Sequence, residues 1–315
     1  MNPRGSADRR AAGVVLAIGA ALVSGVAVFV NAYGVQHATK AGVDGTSYTT
    51  AKNLIAALVL IGVAGIARAA RSTAAARRPS TGTEWMGLAA VGVLGGGIAF
   101  ALFFEGLTRI TSETPVKAQL LHKTLVVWVA ILAVVFLRER INGFHIGAIA
   151  LLVLGQVRLA GGTGGFTWGS GEWMIVGATA IWSVETVVAK KLLGSLPELT
   201  VALARMIGGS VVLLGWVALT GHLDRLAWDS SWWGWALSTG VILAVYVGVW
   251  FAALARAQAV DVTAVLVGAV LVTMLLDRAA SHPVLQPAAG YWLVLGGFAL
   301  ALVAALLPRR RLAAT

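Results

Sequence analysis

The segment from Leu120 to Arg140, LLHKTLVVWVAILAVVFLRER, places a histidine and a lysine side by side near the start of a long apolar run. An ionisable side chain in hydrocarbon costs at least about 2.5 kcal/mol on insertion scales, so each one needs a physical reason. Lys123 lies too deep in the run for its ammonium to reach the headgroups easily. We expect Lys123 to hold a substrate carboxylate or to take part in proton coupling, and a fixed buried ion pair is the alternative.

Two neighbours of Lys123 bear on this expectation. On a helix His122 points about 100° away from Lys123, so the two side chains can hardly face the same cavity centre. Histidine can shuttle protons near neutral pH, although a packing role fits equally well. Gln119 lies four residues before Lys123 and shares its helix face, which predicts a polar stripe.

Other apolar runs also contain charged residues. Glu185, in IWSVETVVAKK, is the predicted partner of Lys123 or Arg205, as a proton carrier or as a structural counter-charge. The predicted buried charges are four cations and two acids, which favours an anionic or zwitterionic solute. These six residues are Lys52, Lys117, Lys123, Arg205, Glu105 and Glu185. For Glu105, a partly exposed pair with Arg109 or Lys117 is the favoured interpretation.

Aromatic and small residues complete the candidate set. Trp182 is the tryptophan that we expect to wall the cavity. Six others are predicted to lie in interfacial belts, namely Trp85, Trp168, Trp173, Trp228, Trp232 and Trp233. GVLGGG (92–97) has small residues at four-residue spacing, which predicts close helix contact. His37, His145, His222 and His282 lie at span ends, and no special role is predicted for them.

The composition indicates the solvent of the chain. Of its 315 residues, 58% are hydrophobic and 12% are charged, whereas soluble proteins have about 25% charged residues. Apolar runs long enough to cross a bilayer recur throughout. The basic residues lie between these runs, so they fit a membrane surface better than nucleic acid. There is no cysteine, which excludes disulfides and thiol chemistry. We found no nucleotide, zinc or hydrolase motif, so no cofactor, metal or catalytic residue is predicted.

These patterns predict an all-α polytopic membrane protein with ten transmembrane helices. The predicted spans are 11–33, 47–67, 85–107, 114–137, 144–161, 171–189, 198–219, 233–254, 261–279 and 288–307. The predicted organisation is an N-terminal tail (1–10), a first repeat (11–162), a second repeat (168–308) and a basic tail (309–315). The first run is expected to remain as an uncleaved span.

The basic residues predict the orientation. With a cytoplasmic N-terminus, 15 of the 24 lysines and arginines fall on the cytoplasmic side and five on the outer side. This excess follows the positive-inside rule. We therefore expect a multi-pass protein of the cytoplasmic membrane with both termini in the cytoplasm.

The two halves resemble each other weakly. YTTAKNLIAALVL (48–60) aligns with TVALARMIGGSVVLL (200–214), which pairs Lys52 with Arg205, and a rough alignment pairs Asn31 with Glu185. Because each half has five spans, the second half enters from the opposite face. This predicts two inverted five-helix repeats, as in secondary transporters.

A family resemblance rests on VVWVAILAVVFLRERINGFHIGAIALLVLGQV (126–157). It resembles the end of an EamA domain, in which a long helix closes with a Phe-Leu-x-Glu-Arg turn. Phe136, Leu137, Glu139 and Arg140 fit that turn. The resemblance implies the drug/metabolite transporter superfamily, and a family proline near Val126 is absent here. The ninth span is shorter and also lacks it, so the second half is expected to move differently or pack less deeply.

The predicted function is secondary transport of a small organic solute, such as an amino acid, by alternating access. The resemblance implies export, and a gradient is expected to supply the energy. One alternative is an intramembrane enzyme acting on lipid-linked substrates, for which His222, Asp224 and Asp229 are the available cluster. Another is a non-transporting membrane subunit with mutually paired polar residues. The predicted partners are the solute and the lipid bilayer, and a homodimer is left open.

Overall fold

The computed structural model describes residues 3–70, 77–110, 118, 121–159, 168–280 and 289–307. Within these residues all regular secondary structure is helical. The main helices are α1 (Pro3–Lys40), α2 (Gly45–Ala69), α3 (Gly82–Arg109), α4 (Leu121–Leu137), α5 (Gly143–Leu159), α6 (Ser170–Leu192), α7 (Glu198–Leu219), α8 (Ser230–Arg256), α9 (Ala259–Ala279) and α10 (Ala289–Leu306). A short 3₁₀ helix, Leu223–Leu226, lies between α7 and α8.

Eight of these helices are long and apolar enough to cross a bilayer. The other two, α4 and α5, are apolar but shorter in the described residues. The predicted polytopic all-helical class is therefore confirmed. The ninth helix, expected to be short, has 21 residues, which at 1.5 Å per residue spans about 30 Å.

Local sequence signals explain how several helices begin and end. Asp44 caps α2, where its carboxylate accepts a hydrogen bond from the Ser47 amide at 2.8 Å. Gly42 and Gly221, in the turns after α1 and α7, have φ near +77° and +76°, a conformation that favours glycine. Arg138, which follows α4, adopts the same left-handed region with φ of 55°. The Phe-Leu-x-Glu-Arg turn therefore reverses sharply and directs Glu139 back toward the protein.

Three helices depart from regular α geometry, and in α4 the interruption falls at Thr124. In α3, Val91–Ile98 forms a π-helical segment that contains the glycine-rich stretch. In α9 the α-helical hydrogen bonding is interrupted between Leu266 and Ala269. None of the three segments contains proline, so these irregularities come from glycine and local packing.

The interior is formed by helices from both halves. α1 packs along α8, α5 packs along α10, and α2 lies between α7 and α8. Small residues allow this close packing, while exposed leucines, valines and isoleucines cover the outer surface, as a lipid-facing surface requires. One predicted belt residue is wrong: Trp232 is only 1% exposed and packs near Tyr48, with ring centroids 6.3 Å apart. It lies on the face of α8 that contacts α2.

Candidate functional site

Lys52 is held in the protein interior by α2. It is 4% exposed, and its Nζ donates to Asn31 Oδ1 of α1 at 3.2 Å. The ammonium also lies 4.5 Å from the centroid of the Phe104 ring on α3, which is cation–π distance. No described carboxylate pairs with Lys52. Among the described residues, its ammonium therefore contacts the Asn31 amide oxygen and the rings of Phe104 and Phe100.

Arg205 on α7 occupies a comparable position but has a full counter-charge. Its Nε donates to Glu185 Oε1 of α6 at 2.7 Å, and both side chains are buried. The guanidinium also lies over the Phe100 ring, 5.2 Å from its centroid. Of the two partners proposed for Glu185, the structure places it against Arg205 and away from Lys123.

Glycines in the π-helical segment of α3 bring this pair close to the helix backbone. A methyl group on Gly95 would overlap the Glu185 carboxylate, and one on Gly96 would overlap the Arg205 carbonyl oxygen. One on Gly92 would come within 2.7 Å of the Ala204 carbonyl oxygen. The glycine-rich stretch thus makes the close helix contact that its spacing predicts.

Trp182 connects the charged residues to α4. Its indole Nε1 donates to the Gly95 carbonyl at 2.9 Å. Its ring meets His122 edge to face at 4.8 Å between centroids, and it meets Phe100 in the same way at 5.3 Å. Because Phe100 also lies under Arg205 and 5.8 Å from the Lys52 ammonium, these side chains form one connected group. We call Lys52, Phe100, Trp182, Glu185 and Arg205 the central cluster.

Lys123 lies apart from this cluster. It is 5% exposed and lines a small cavity between α4 and α9 that has room for about one water molecule. His122 lines the same cavity while its ring contacts Trp182. Gln119 lies outside the described residues, as does Lys117. The structure therefore brings Lys52, His122, Trp182, Glu185 and Arg205 together and places Lys123 on the far side of His122.

A second polar group, which the sequence analysis missed, closes one end of the helices. His145 Nε2 lies 2.8 Å from Asp261 Oδ1, and both side chains are almost fully buried. Arg10 donates to Asp261 Oδ2 at 3.3 Å and to the carbonyls of Ala304 and Leu307. The sequence predicted no special role for His145, and the structure pairs it with Asp261, which lies 116 residues away in sequence. The acid within the apolar stretch VDVTAV was the available signal.

Glu139 lies at the same end of the helices. We call Arg10, Glu139, His145 and Asp261 the end network. The Glu139 carboxylate accepts from the Ala259 and Val260 amides at 2.8 and 3.1 Å. It caps the start of α9, where the helix dipole favours negative charge. Burial raises the pKa of the Glu139 carboxyl, against the lowering effect of these two amides.

The opposite end contains exposed and loop-bound charges. Glu105 pairs with Arg109 at 2.8 Å, as the favoured interpretation predicts, and both are partly exposed. Arg225 donates to Asp44 at 2.8 Å. Burial acts to raise the pKa of the Asp44 carboxyl, but hydrogen bonds from Ser47 and Arg225 outweigh it and lower that pKa.

The residues considered for an enzyme, His222, Asp224 and Asp229, lie in the short connection between α7 and α8. Asp229 caps α8 by accepting from the Ser231 amide at 2.8 Å, which lowers the pKa of its carboxyl. Asp224 lies in the short 3₁₀ helix next to His222. A search of the described residues found no group of three or more histidine, cysteine or acidic side chains able to hold a metal ion.

Comparisons with known proteins agree with this architecture. The model of the EamA-like transporter family matches residues 11–159 and again residues 169–306. A solved structure titled "Crystal structure of protein" is 18% identical and superimposes with a TM-score of 0.74, over 92% of this chain and 98% of that chain. At this identity it supports the fold alone. A search of curated proteins found no match.

The resemblance noted in the sequence is thereby confirmed, since the family matches cover both halves of the chain. The chain belongs to the EamA-like transporter family, and it is a multi-pass membrane transporter of the drug/metabolite superfamily.

Proposed function

We propose that this protein is a secondary transporter that exports a small organic anion or zwitterion, such as an amino acid, from the cytoplasm by alternating access. The observation that carries the proposal is the imbalance of buried charge. Around the central cluster, Lys52, Lys123 and Arg205 are buried and basic, whereas Glu185 is the buried carboxylate that the described residues place there. The other buried acids, Glu84, Glu139, Glu172 and Asp261, lie at or beside helix ends. A cavity opened among these groups would attract negative charge.

The solute is proposed to bind at the central cluster. Lys52 is the carboxylate-binding group, because Asn31 is a neutral partner that a carboxylate can replace. Arg205 and Glu185 supply a paired charge that can orient an ammonium and a carboxylate. Trp182 forms an aromatic wall. Lys123, His122 and Gln119 are proposed to take part in coupling, because Lys123 and His122 lie in the first turn of α4 and the ring of His122 contacts Trp182.

Alternating access is supported by how the two halves pack. In the proposed repeat, α1, α3 and α4 of the first half correspond to α6, α8 and α9 of the second half. α1 packs against α8 and α9, and α6 packs in the same way against α3 and α4. The pairs α2–α7 and α5–α10 cross between the halves. This pattern supports the proposal that the chain has ten spans in two inverted five-helix repeats. The contact of Lys52 with Asn31 also parallels that of Arg205 with Glu185.

The end network gives the proposed cycle a closed side. Arg10, His145 and Asp261 join α1, α5 and α9, and Arg10 also reaches the last turn of α10. With the orientation expected from the basic residues, this is the cytoplasmic end of a protein in the cytoplasmic membrane. Breaking these contacts would open the central cluster to the cytoplasm, and a solute or proton gradient would drive the cycle.

The proposal is tested by thermal unfolding of the purified protein with amino acids, organic acids, nucleosides and cationic drugs. A ligand at a hundred times its dissociation constant should stabilise by about 2.7 kcal/mol. We expect an anion or zwitterion to stabilise the wild type and Lys40→Met, which removes an exposed lysine, but not Lys52→Met. Stabilisation by cations alone, or equal stabilisation of both variants, would contradict the proposal.

A further inference from the structure

The cavity beside Lys123 lies where two interrupted helices meet. In α4 the Val127 amide donates to the Thr124 carbonyl at 2.9 Å, three residues back. In α9 the Gly268 amide donates to the Val265 carbonyl at 3.0 Å with the same spacing. The cavity is lined by His122, Lys123, Leu125 and Val126 of α4 and by Thr263, Leu266 and Val267 of α9. The two interruptions therefore border the same small cavity.

Two nitrogen-bearing side chains at this cavity lack partners. Lys123 has no hydrogen bond or ion pair within the described part of the chain. His122 Nδ1 is buried and has no hydrogen-bond partner there either. The Thr263 hydroxyl is already engaged, because it donates to the Ala259 carbonyl at 2.8 Å. Among the described residues the remaining lining is apolar, and no carboxylate contributes to it.

The described carboxylates that could serve as a counter-charge for Lys123 already bond to other residues. Glu185 bonds to Arg205, and Asp261 bonds to His145 and Arg10. A buried ammonium without a counter-charge is costly in a membrane protein, and an unpaired buried nitrogen adds to that cost. A single small anion in the cavity would satisfy both, because it would accept from the Lys123 ammonium and from the N–H of the neutral His122 tautomer that carries its proton on Nδ1.

We propose that Lys123 and His122 bind one small monovalent anion between α4 and α9, at a site separate from the central cluster. The ligand chemistry is a single compact negative charge, supplied by a halide such as chloride or by the carboxylate of a small organic acid. The size of the cavity favours a halide. This deepens the proposed function by naming the species at the coupling residues, and binding is measured without transport so that the two can fail separately.

The test is thermal unfolding of the purified full-length protein at fixed ionic strength, with gluconate replaced stepwise by chloride, bromide, formate or acetate. At ten times the dissociation constant we expect the midpoint to rise by about 2 °C. The rise should saturate, should persist in Lys40→Met and should be absent in Lys123→Met. Line broadening in chloride NMR of the wild type, reversed by excess bromide, gives a second readout that does not depend on a variant folding.

The arms of the test separate the sources of the anion. Stabilisation by halides assigns the site to an inorganic anion, and stabilisation by formate and acetate alone assigns it to a carboxylate. Either result supports the site if Lys123→Met abolishes it. If every anion leaves the midpoint at its gluconate value, or if Lys123→Met responds as the wild type does, the proposal is overturned.

Discussion

The ion pair between Glu185 and Arg205 gives the sharpest prediction about stability. Both side chains are buried, and Arg205 Nε lies 2.7 Å from Glu185 Oε1. Replacing Glu185 with methionine removes the counter-charge but keeps an unbranched chain beside Gly95. The guanidinium then remains buried without a carboxylate, and removal of one partner of such a pair costs about 3–5 kcal/mol.

The double variant separates charge from packing. When Arg205→Met is combined with Glu185→Met, no charge remains at this position. We expect the double variant to lie within about 1 kcal/mol of the wild type, because replacing a whole buried pair with apolar residues is often neutral. Because each single variant should cost about 3–5 kcal/mol, the coupling free energy between the two positions should be at least about 5 kcal/mol.

The assay is reversible unfolding in mixed micelles of a mild and a denaturing detergent, followed by tryptophan fluorescence. Arg109→Met is the matched control, because it breaks a surface pair with Glu105 at 2.8 Å and should cost at most about 1 kcal/mol. If the single variants cost no more than this control, or if the double variant loses the sum of the two, the pair does not carry the free energy assigned to it.

Three further predictions use the same unfolding assay. Gly96→Ala should cost about 1–3 kcal/mol of stability, because the new methyl group meets the backbone of α7. The control Gly215→Ala has nothing within 4 Å of the new methyl group and should be neutral or stabilising by up to about 1 kcal/mol. Equal effects of the two variants would contradict the helix contact. Glu139→Ala should cost about 1–2 kcal/mol by removing the cap of α9, and Glu139→Gln should cost less, since its amide oxygen still accepts one bond; the reverse order would refute the cap. The pKa of the Asp44 carboxyl is lowered on folding, so the stabilisation by this carboxylate is present above about pH 4 and is lost as the pH falls through the folded-state pKa. Between about pH 5 and pH 3, Asp44→Asn should therefore lose less stability than the wild type. Parallel losses of stability in the two proteins would contradict this.

The sequence was sufficient to predict the class of the fold and several local contacts. Long apolar runs admit few structures in a bilayer, because every backbone polar group must be satisfied internally. The cost of burying charge identified Lys52, Glu185 and Arg205 without any knowledge of their contacts. The GVLGGG stretch indicated a close helix contact, since small residues at four-residue spacing form one face.

Other features depend on which helix ends meet, and a single sequence does not encode that directly. His145 and Asp261 each lie near a helix end, where a polar residue is ordinary. Only the packing of α5 on α9 makes them partners. Trp232 looked like an interfacial residue because it adjoins other tryptophans, yet α2 covers it. The interruptions in α4 and α9 also carry no proline that would have predicted them.

Counterflow in proteoliposomes tests the central claim most directly. Vesicles loaded with the solute that best stabilises the purified protein are diluted into the same solute carrying a radiolabel. We predict transient accumulation of label above that of protein-free vesicles, retained in Lys40→Met and reduced at least about tenfold in Lys52→Met. The charge argument would be contradicted if accumulation occurred only with cationic solutes or proceeded equally in Lys52→Met. The transport hypothesis itself would be contradicted if no stabilising solute accumulated to a higher level than in protein-free vesicles.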